Sequence, residues 1–302
     1  MTKPDSVPNI LISVAAGYRE EQIRPFLASL QYYAPGTSLR LIVGKPNLEF
    51  EDAVRAWFPT CSFHLLPPSP LRDLTMKRKW ARSVFKRVAR WSRSPGLASR
   101  LHKIDCVRHI AIRDLLKLWG LKQANLVLCD SRDLVFQGDP FAGDWPALWT
   151  CEEDKLMGDC RVNSFWFKRS FGEAALVKAR GWTVVCAGVM GGQVEPLSRY
   201  LESSTKIIEQ LSPDMPLADS DQGIHNYLVR ERTDLGFTVL PNGCWLAANL
   251  GHTRPEDLNI RNGLAYVRNG TEAPAILHHY DRHPQLIAAV RSRWAKATPV
   301  FH

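Results

Sequence analysis

Along the first sixty-odd residues, apolar runs and helix-spaced apolar stripes take turns. The run in NILISVAAGY (9–18) predicts a β-strand that ends in a Gly-Tyr loop. Ile23, Phe26, Leu27 and Leu30 then recur at the spacing of one helix face within EEQIRPFLASLQYYA (20–34). After the break at PGTS come a strand in LRLIVG (39–44), a short helix in FEDAVRAWF (50–58) and a third strand in CSFHLLP (61–67). PPSP (67–70) closes the unit. This alternation predicts a parallel α/β sheet, because each crossover helix returns the chain to the same sheet in the same direction.

The later pattern is of the same kind. DCVRHIAIRDLLKLWG (105–120) predicts a helix stopped by Gly120, and NLVLCD (125–130) a strand. PALWTCEED (146–154) reads as a strand and SFGEAALVKARG (170–181) as a helix. WTVVCAGVMGG (182–192) reads as a strand running into a glycine turn. LSRYLESSTKIIEQL (197–211) and SDQGIHNYLV (220–229) predict helices, GFTVLP (236–241) a short strand, and AILHHY (275–280) the last strand. There is no internal repeat and no clean linker, so one domain over 1–302 is expected, with the Pro-rich and basic stretch 67–104 inserted into it.

Composition sharpens this picture in two places. The net charge of +9 is concentrated: Lys77, Arg78, Lys79, Arg82, Lys86, Arg87, Arg90, Arg93, Arg100 and Lys103 stand in a stretch without Asp or Glu. Within it, Trp80, Val84, Val88 and Trp91 share one helix face, so residues 76–93 are expected to lie on an anionic membrane surface or to pack that face on the protein's own core. The seven Cys show neither metal spacing nor a disulfide framework, and the first residues lack a signal-peptide pattern. No apolar run approaches the roughly 18 residues of a membrane span. A cytoplasmic protein, peripheral at the inner membrane face if 76–93 binds lipid, is the expectation.

LVLCDSRDLVFQGDPF (126–141) carries the chemistry. Strands of parallel sheets are buried on both faces, which suits Leu126, Val127 and Leu128, and ligands of open α/β sheets bind beyond the carboxyl ends of strands. Asp130 and Asp133 therefore stand where ligands bind. Two close carboxylates repel unless a cation relieves them. Hard oxygen donors suit Mg²⁺ or Mn²⁺, which complete their shells with substrate phosphates. In isolation the same pair is read equally well as Asp130 capping a turn and Asp133 pairing with Arg132 or another cation.

Three other stretches bear on the choice. The glycines of VCAGVMGG (185–192), Gly188 among them, allow close backbone approach to a ligand. Asp221 and Gln222 open the helix of SDQGIHNYL (220–228), where Ser220 or Asp219 would serve as an ordinary N-cap. In AILHHYDRH (275–283), His278 and His279 leave a strand with Asp281, Arg282 and His283 close behind, and a histidine so placed completes a metal shell.

In this order the stretches resemble the GT-A glycosyltransferases, nearest to the glycogenin-like and lipopolysaccharide galactosyltransferase-like families, over roughly residues 8–286. Asp133 matches the second aspartate of their D-x-D motif by its spacing to Asp139, and Asp130 matches the first with one residue inserted. Cys186 stands where those families often carry Asn. Asp221 and Gln222 match a D-Q pair, and His278 matches a C-terminal metal ligand.

The resemblance implies an α/β fold of GT-A type, a Rossmann-like mixed sheet flanked by helices. It implies a hexosyltransferase whose Mn²⁺ or Mg²⁺ is held by Asp130, Asp133 and His278. Gly17, Tyr18, Arg108, Asp130, Arg132 and Gly188 are the expected donor-binding residues, with Tyr18 stacking on the base and Arg113 a further phosphate candidate. The donor is a nucleotide-diphosphate sugar, a UDP-sugar foremost. The acceptor is a glycan or lipid-linked glycan, as in surface polysaccharide synthesis.

In the implied reaction the metal acts as Lewis acid and template for the leaving diphosphate. Glu152, Glu153 and Asp221 are candidates to stabilise the oxocarbenium-like carbon or to act as base, and Gln222 is the weak group a retaining enzyme needs. The resemblance implies retention; the residues themselves leave the stereochemistry open. Two other readings compete: a basic nucleic-acid-binding protein, which explains the charge but neither Asp130–Asp133 nor the His cluster, and an inactive GT-A scaffold that only binds nucleotide sugar. Nucleic acid is not an expected partner. A sugar nucleotidyltransferase would open with a better phosphate loop than AAGYREE, and an aspartyl phosphatase would carry its acids near the first strand.

Overall fold

Residues 7–66, 104–211, 221–268 and 270–300 are described by the computed structural model. The basic helix expected at 76–93, and the insertion up to residue 103, lie outside the described residues.

Alternation of apolar side chains sets the sheet. β1 (Asn9–Val14) sends Leu11 to one face and Ile10 and Ile12 to the other, all fully buried. It pairs in parallel with β2 (Ser38–Val43) on one side and with β4 (Asn125–Asp130) on the other; β2 pairs in parallel with β3 (Ser62–Leu65). β7 (Thr183–Gln193) runs antiparallel to β4, followed by β6 (Leu148–Leu156) and β8 (Thr238–Leu240), giving the seven-stranded order β3-β2-β1-β4-β7-β6-β8.

Helices cover both faces. On one side lie α1 (Glu20–Tyr33), α2 (Leu48–Trp57) and, near the end of the chain, α8 (Pro284–Trp294), sharing a core with Leu11, Leu39, Leu41 and Val127. On the other lie α3 (Ile104–Trp119), α6 (Val194–Gln210) and α7 (Asp221–Glu231), packed on Ile10, Ile12, Leu126 and Leu128. Between β6 and β7 the chain forms α4 (Arg161–Phe171) and α5 (Glu173–Ala179). A second, three-stranded sheet places β12 (Ile276–His278) between β5 (Leu134–Phe136) and β9 (Ala247–Asn249). β10 (Leu258–Arg261) and β11 (Leu264–Val267) form a hairpin.

The sheet is mixed, as expected, and three local readings are corrected. Gly191 and Gly192 do not form a turn; they stay inside β7. A Cβ on Gly191 would stand 2.7 Å from the Leu126 carbonyl and from the Trp149 ring, and one on Gly192 2.5 Å from the Ala147 carbonyl. Neighbours crowd both faces of the strand, so the glycines serve close approach rather than chain reversal. The helix expected over 170–181 is the shorter α5, and α4, which lies almost wholly before that range and which the pattern did not predict, is ended by Gly172 with a φ of 86°. The third is α8, which follows the His cluster and which the pattern reading did not anticipate.

Candidate active site

The strand order reverses between β1 and β4: the earlier strands lie to one side of β1 and the later ones to the other. A crevice opens where neighbouring connections diverge, beyond the carboxyl ends of those two strands. Val14 and Asp130, their last residues, stand in register there. A cavity of about 410 Å³ opens at this point, within the range of ligand sites.

Asp130 is held by Arg108 on α3. One guanidinium nitrogen donates to Asp130 Oδ1 at 2.5 Å, and the other to Asp221 Oδ2 at 2.8 Å and to the Ala187 carbonyl at 3.2 Å. One cation thereby ties β4, α7 and β7 together. Burial works against the Asp130 carboxylate, but Arg108 and His278 outweigh it and hold its pKa well below the usual carboxylate range. The other oxygen, Oδ2, faces His278 Nε2 at 3.4 Å.

Asp133, His278 and His279 gather beside it. Their ligand atoms lie within 4.8 Å of one another: His278 Nε2 is 3.7 Å from Asp133 Oδ1, and His279 Nε2 is 3.8 Å from Asp133 Oδ2. The two imidazoles stack with centroids 3.7 Å apart. Burial pushes the Asp133 pKa up, and the charge of Asp130 adds to that. Burial likewise lowers His279 to about 2, so it is a neutral imidazole.

The surroundings of His278 test whether these residues fit a divalent cation. Asn249 on β9 donates its amide hydrogens to the carbonyls of Cys151 and Glu152, so its Oδ1 is free to accept from His278 Nδ1 at 3.1 Å. A proton therefore sits on Nδ1, and Nε2 is the atom turned to the carboxylates, fully buried and without a hydrogen-bond partner. Burial opposes charge on His278, yet Cys186 and the carboxylates facing it prevail and raise its pKa well above the ordinary imidazole range, so Nε2 carries a proton that a divalent cation would displace. Two bonds of roughly 2.1 Å span up to about 4.2 Å, so the carboxylate–imidazole separations suit a shared Mg²⁺- or Mn²⁺-sized ion without rearrangement. The residues fit the ion.

Gly188 makes this approach possible. A Cβ there would lie 2.4 Å from His278 Cε1 and 2.7 Å from Asp130 Oδ2. Cys186, two residues earlier, sits behind the imidazole with Sγ 3.4 Å from His278 Nδ1.

From Asp221 the cavity floor continues through Gln222, which accepts from the Ala187 N–H at 2.7 Å and donates to Glu153 Oε1 at 2.9 Å. Glu153 Oε2 faces His252 Nε2 at 3.4 Å, and the same nitrogen lies 3.6 Å from Cys160 Sγ. Burial raises the Glu153 pKa, with His252 and Gln222 pulling against it. Burial also pushes the Cys160 thiol up, but hydrogen bonds from His252 and Asn163 outweigh it and bring it to about 7.

The expected site residues divide accordingly. Arg108, Asp130, Glu153, Gly188, Asp221, Gln222 and His278 line the cavity, and Asp133 backs the two histidines. Tyr18, half-buried at the end of β1, lies close enough for its hydroxyl to feel Arg132, Asp130 and Asp133; Gly17 before it takes a φ of 83°. Arg132 is exposed and pairs with Asp281 at 3.8 Å, not with Asp133. Glu152 faces away from the cavity and pairs with Arg230 at 3.0 Å. Arg113 pairs with Asp114 and Glu209 on the surface of α3. His283 is buried and donates to the Leu250 carbonyl at 2.9 Å. Sequence reasoning gave no role to Asn249, His252, Cys160 or Trp166; each stands alone in its segment, without a spacing that marks it.

No protein-family model matches the chain, and no curated protein sequence does. Among solved structures it is similar to the crystal structure of the galactosyltransferase LgtC in complex with donor and acceptor sugar analogs, with a TM-score of 0.53, 15% identity and 97% of each chain covered. That likeness shows the fold: a mixed seven-stranded sheet flanked by helices, of the GT-A glycosyltransferase type.

Proposed function

We propose that this chain is a metal-dependent glycosyltransferase that moves a hexose from a nucleotide-diphosphate sugar, a UDP-sugar foremost, to a glycan or lipid-linked glycan. One observation carries the reading: a buried imidazole turns an Nε2 without a hydrogen-bond partner to two carboxylates at the strand end where α/β sheets bind ligands. The solved structure of the same fold, with its donor and acceptor sugar analogs, supports it. Asp133, His278 and Asp130 would hold the cation, with His279 as a further ligand in reach. When bound, Mn²⁺ or Mg²⁺ supplies charge neutralisation for the leaving diphosphate.

The chain's own residues do the rest. Asn249 keeps the proton on the far side of His278, and Arg108 keeps Asp130 ionised and aimed. Tyr18 flanks the nucleoside side, while Asp221, Gln222 and Glu153 form the floor under the sugar. We read residues 1–302 as one catalytic unit, cytoplasmic, with the segment 76–93 attaching it to anionic membrane. Sedimentation with anionic but not neutral vesicles, reversed by high salt, is the expected result for that attachment; a chain that stays free of both refutes it.

Calorimetric titration of UDP in the presence of Mn²⁺ tests the site. Wild type should bind, and Asp133→Ala should lose the Mn²⁺-dependent part while keeping its melting temperature. Unchanged affinity in Asp133→Ala would overturn the assignment.

A further inference from the structure

The floor described above joins two chemically different ends of one cavity. The Asp130 end holds Arg108, the histidines and the carboxylates that suit a cation and its phosphates. At the other end, Glu153 repels a diphosphate, and α4 supplies Val162, half exposed, and Trp166, partly exposed. The Trp166 ring stacks on no other aromatic ring among the described residues. An apolar aromatic face beside a few oriented polar groups suits a neutral polyol.

His252 supplies the orientation. Its Nε2 faces two electron-rich partners, Glu153 Oε2 at 3.4 Å and Cys160 Sγ at 3.6 Å. Both favour a proton on Nε2, and the Cys160 contact first, with Glu153 after it, raises the imidazole's pKa against the effect of burial. Nδ1 is left to a ligand: it accepts a hydroxyl hydrogen when the ring is neutral and donates to a hydroxyl oxygen when the ring is charged. Nδ1 has no hydrogen-bond partner among the described residues, and it is not sealed off from solvent. Glu153 is in turn fixed by Gln222, so the imidazole is held from behind rather than free to turn.

We infer that the α4 end of the cavity is a saccharide subsite, in which Trp166 packs the C–H face of a pyranose ring and His252 Nδ1 hydrogen-bonds a sugar hydroxyl. Resting on the transferase reading, it is the place for the acceptor: the contact chain Asp130–Arg108–Asp221 and Gln222–Glu153–His252 puts an acceptor hydroxyl in the same cavity as the donor sugar.

The test uses the full chain, with UDP and Mn²⁺ present, and a panel of methyl hexosides with lactose and maltose as probes, observed by saturation-transfer NMR. At least one glycoside should bind wild type, and His252→Ala and Trp166→Ala should each weaken that binding by about tenfold or more. Calorimetric UDP–Mn²⁺ affinity should stay the same in both variants, which shows that the donor end is intact. His252→Asn and Trp166→Phe, gentler changes, should give intermediate losses. If no glycoside binds wild type, or if the variants bind it as well as wild type does, the inference is overturned. Glycoside binding that needs both residues, in a chain that ignores UDP and Mn²⁺, would uphold the subsite and remove the transferase reading.

Discussion

Gly188→Ala adds one methyl group at the most crowded point of the candidate cation site. The new Cβ would stand 2.4 Å from His278 Cε1, 2.8 Å from His278 Nε2 and 2.7 Å from Asp130 Oδ2, against 3.4 to 4 Å for ordinary contact. Neither neighbour can yield easily. His278 is 1% exposed and anchored to Asn249, and Asp130 is anchored to Arg108. Something must move by about an ångström, and overpacking of this kind costs about 1–3 kcal/mol. At about 2–4 °C per kcal/mol, the loss in melting temperature should be roughly 2–12 °C. Displacing the imidazole from its supporting contacts should also weaken Mn²⁺ binding by about 10- to 100-fold. Differential scanning calorimetry with and without Mn²⁺ reads the first effect, and titration calorimetry the second. Gly181→Ala, where a Cβ meets nothing within 4 Å, is the control. If Gly188→Ala melts with the control and binds Mn²⁺ as wild type does, the packing argument and the site built on it both fail.

Arg108→Met removes the guanidinium between Asp130 and Asp221 and should cost about 3 kcal/mol in a denaturant midpoint, whereas Arg113→Met, with surface partners only, should cost under about 1 kcal/mol. His278→Ala and His279→Ala should both lower Mn²⁺ affinity while His283→Ala leaves it unchanged; a loss confined to His283→Ala would relocate the ligand. His225 is buried between Thr150 and Tyr200, and burial lowers its pKa to about 3. As pH falls, the unfolded chain takes up this proton first. The stability His225 contributes is therefore whole above about pH 6.5 and declines between there and pH 3. Chemical denaturation from pH 7 to 4 should show a shallower decline in His225→Gln than in wild type, and equal slopes would refute the assignment.

Much of the candidate site was legible because one physical fact wrote it into the chain. β4 is buried on both faces, so its apolar run must stop where the strand leaves the core, and the carboxylates Asp130 and Asp133 mark that exit. His278 was legible for the same reason at the end of β12. Glu152 and Glu153 were indistinguishable as neighbours in sequence; successive strand residues point to opposite faces, so one reaches the cavity and the other meets Arg230. Gly191 and Gly192 carry the same letters as a turn, and only the approach of Trp149 and the Ala147 carbonyl separates the two meanings. Asn249 and His252 came from the sequence without any signal. Their roles depend on β9 lying beside β12 and on the packing of His252 against Glu153 at the cavity floor, which are tertiary facts.

The Asp133–His278 site is proposed to serve transfer from a nucleotide sugar. A turnover screen of UDP- and GDP-hexoses, scored for release of nucleoside diphosphate with Mn²⁺ and with chelator, tests it most directly. At least one donor should be cleaved with Mn²⁺, chelation should abolish cleavage, and Asp133→Ala should behave as the chelated wild type. Cleavage unaffected by chelator and by Asp133→Ala, or no cleavage of any donor with or without Mn²⁺, would contradict it.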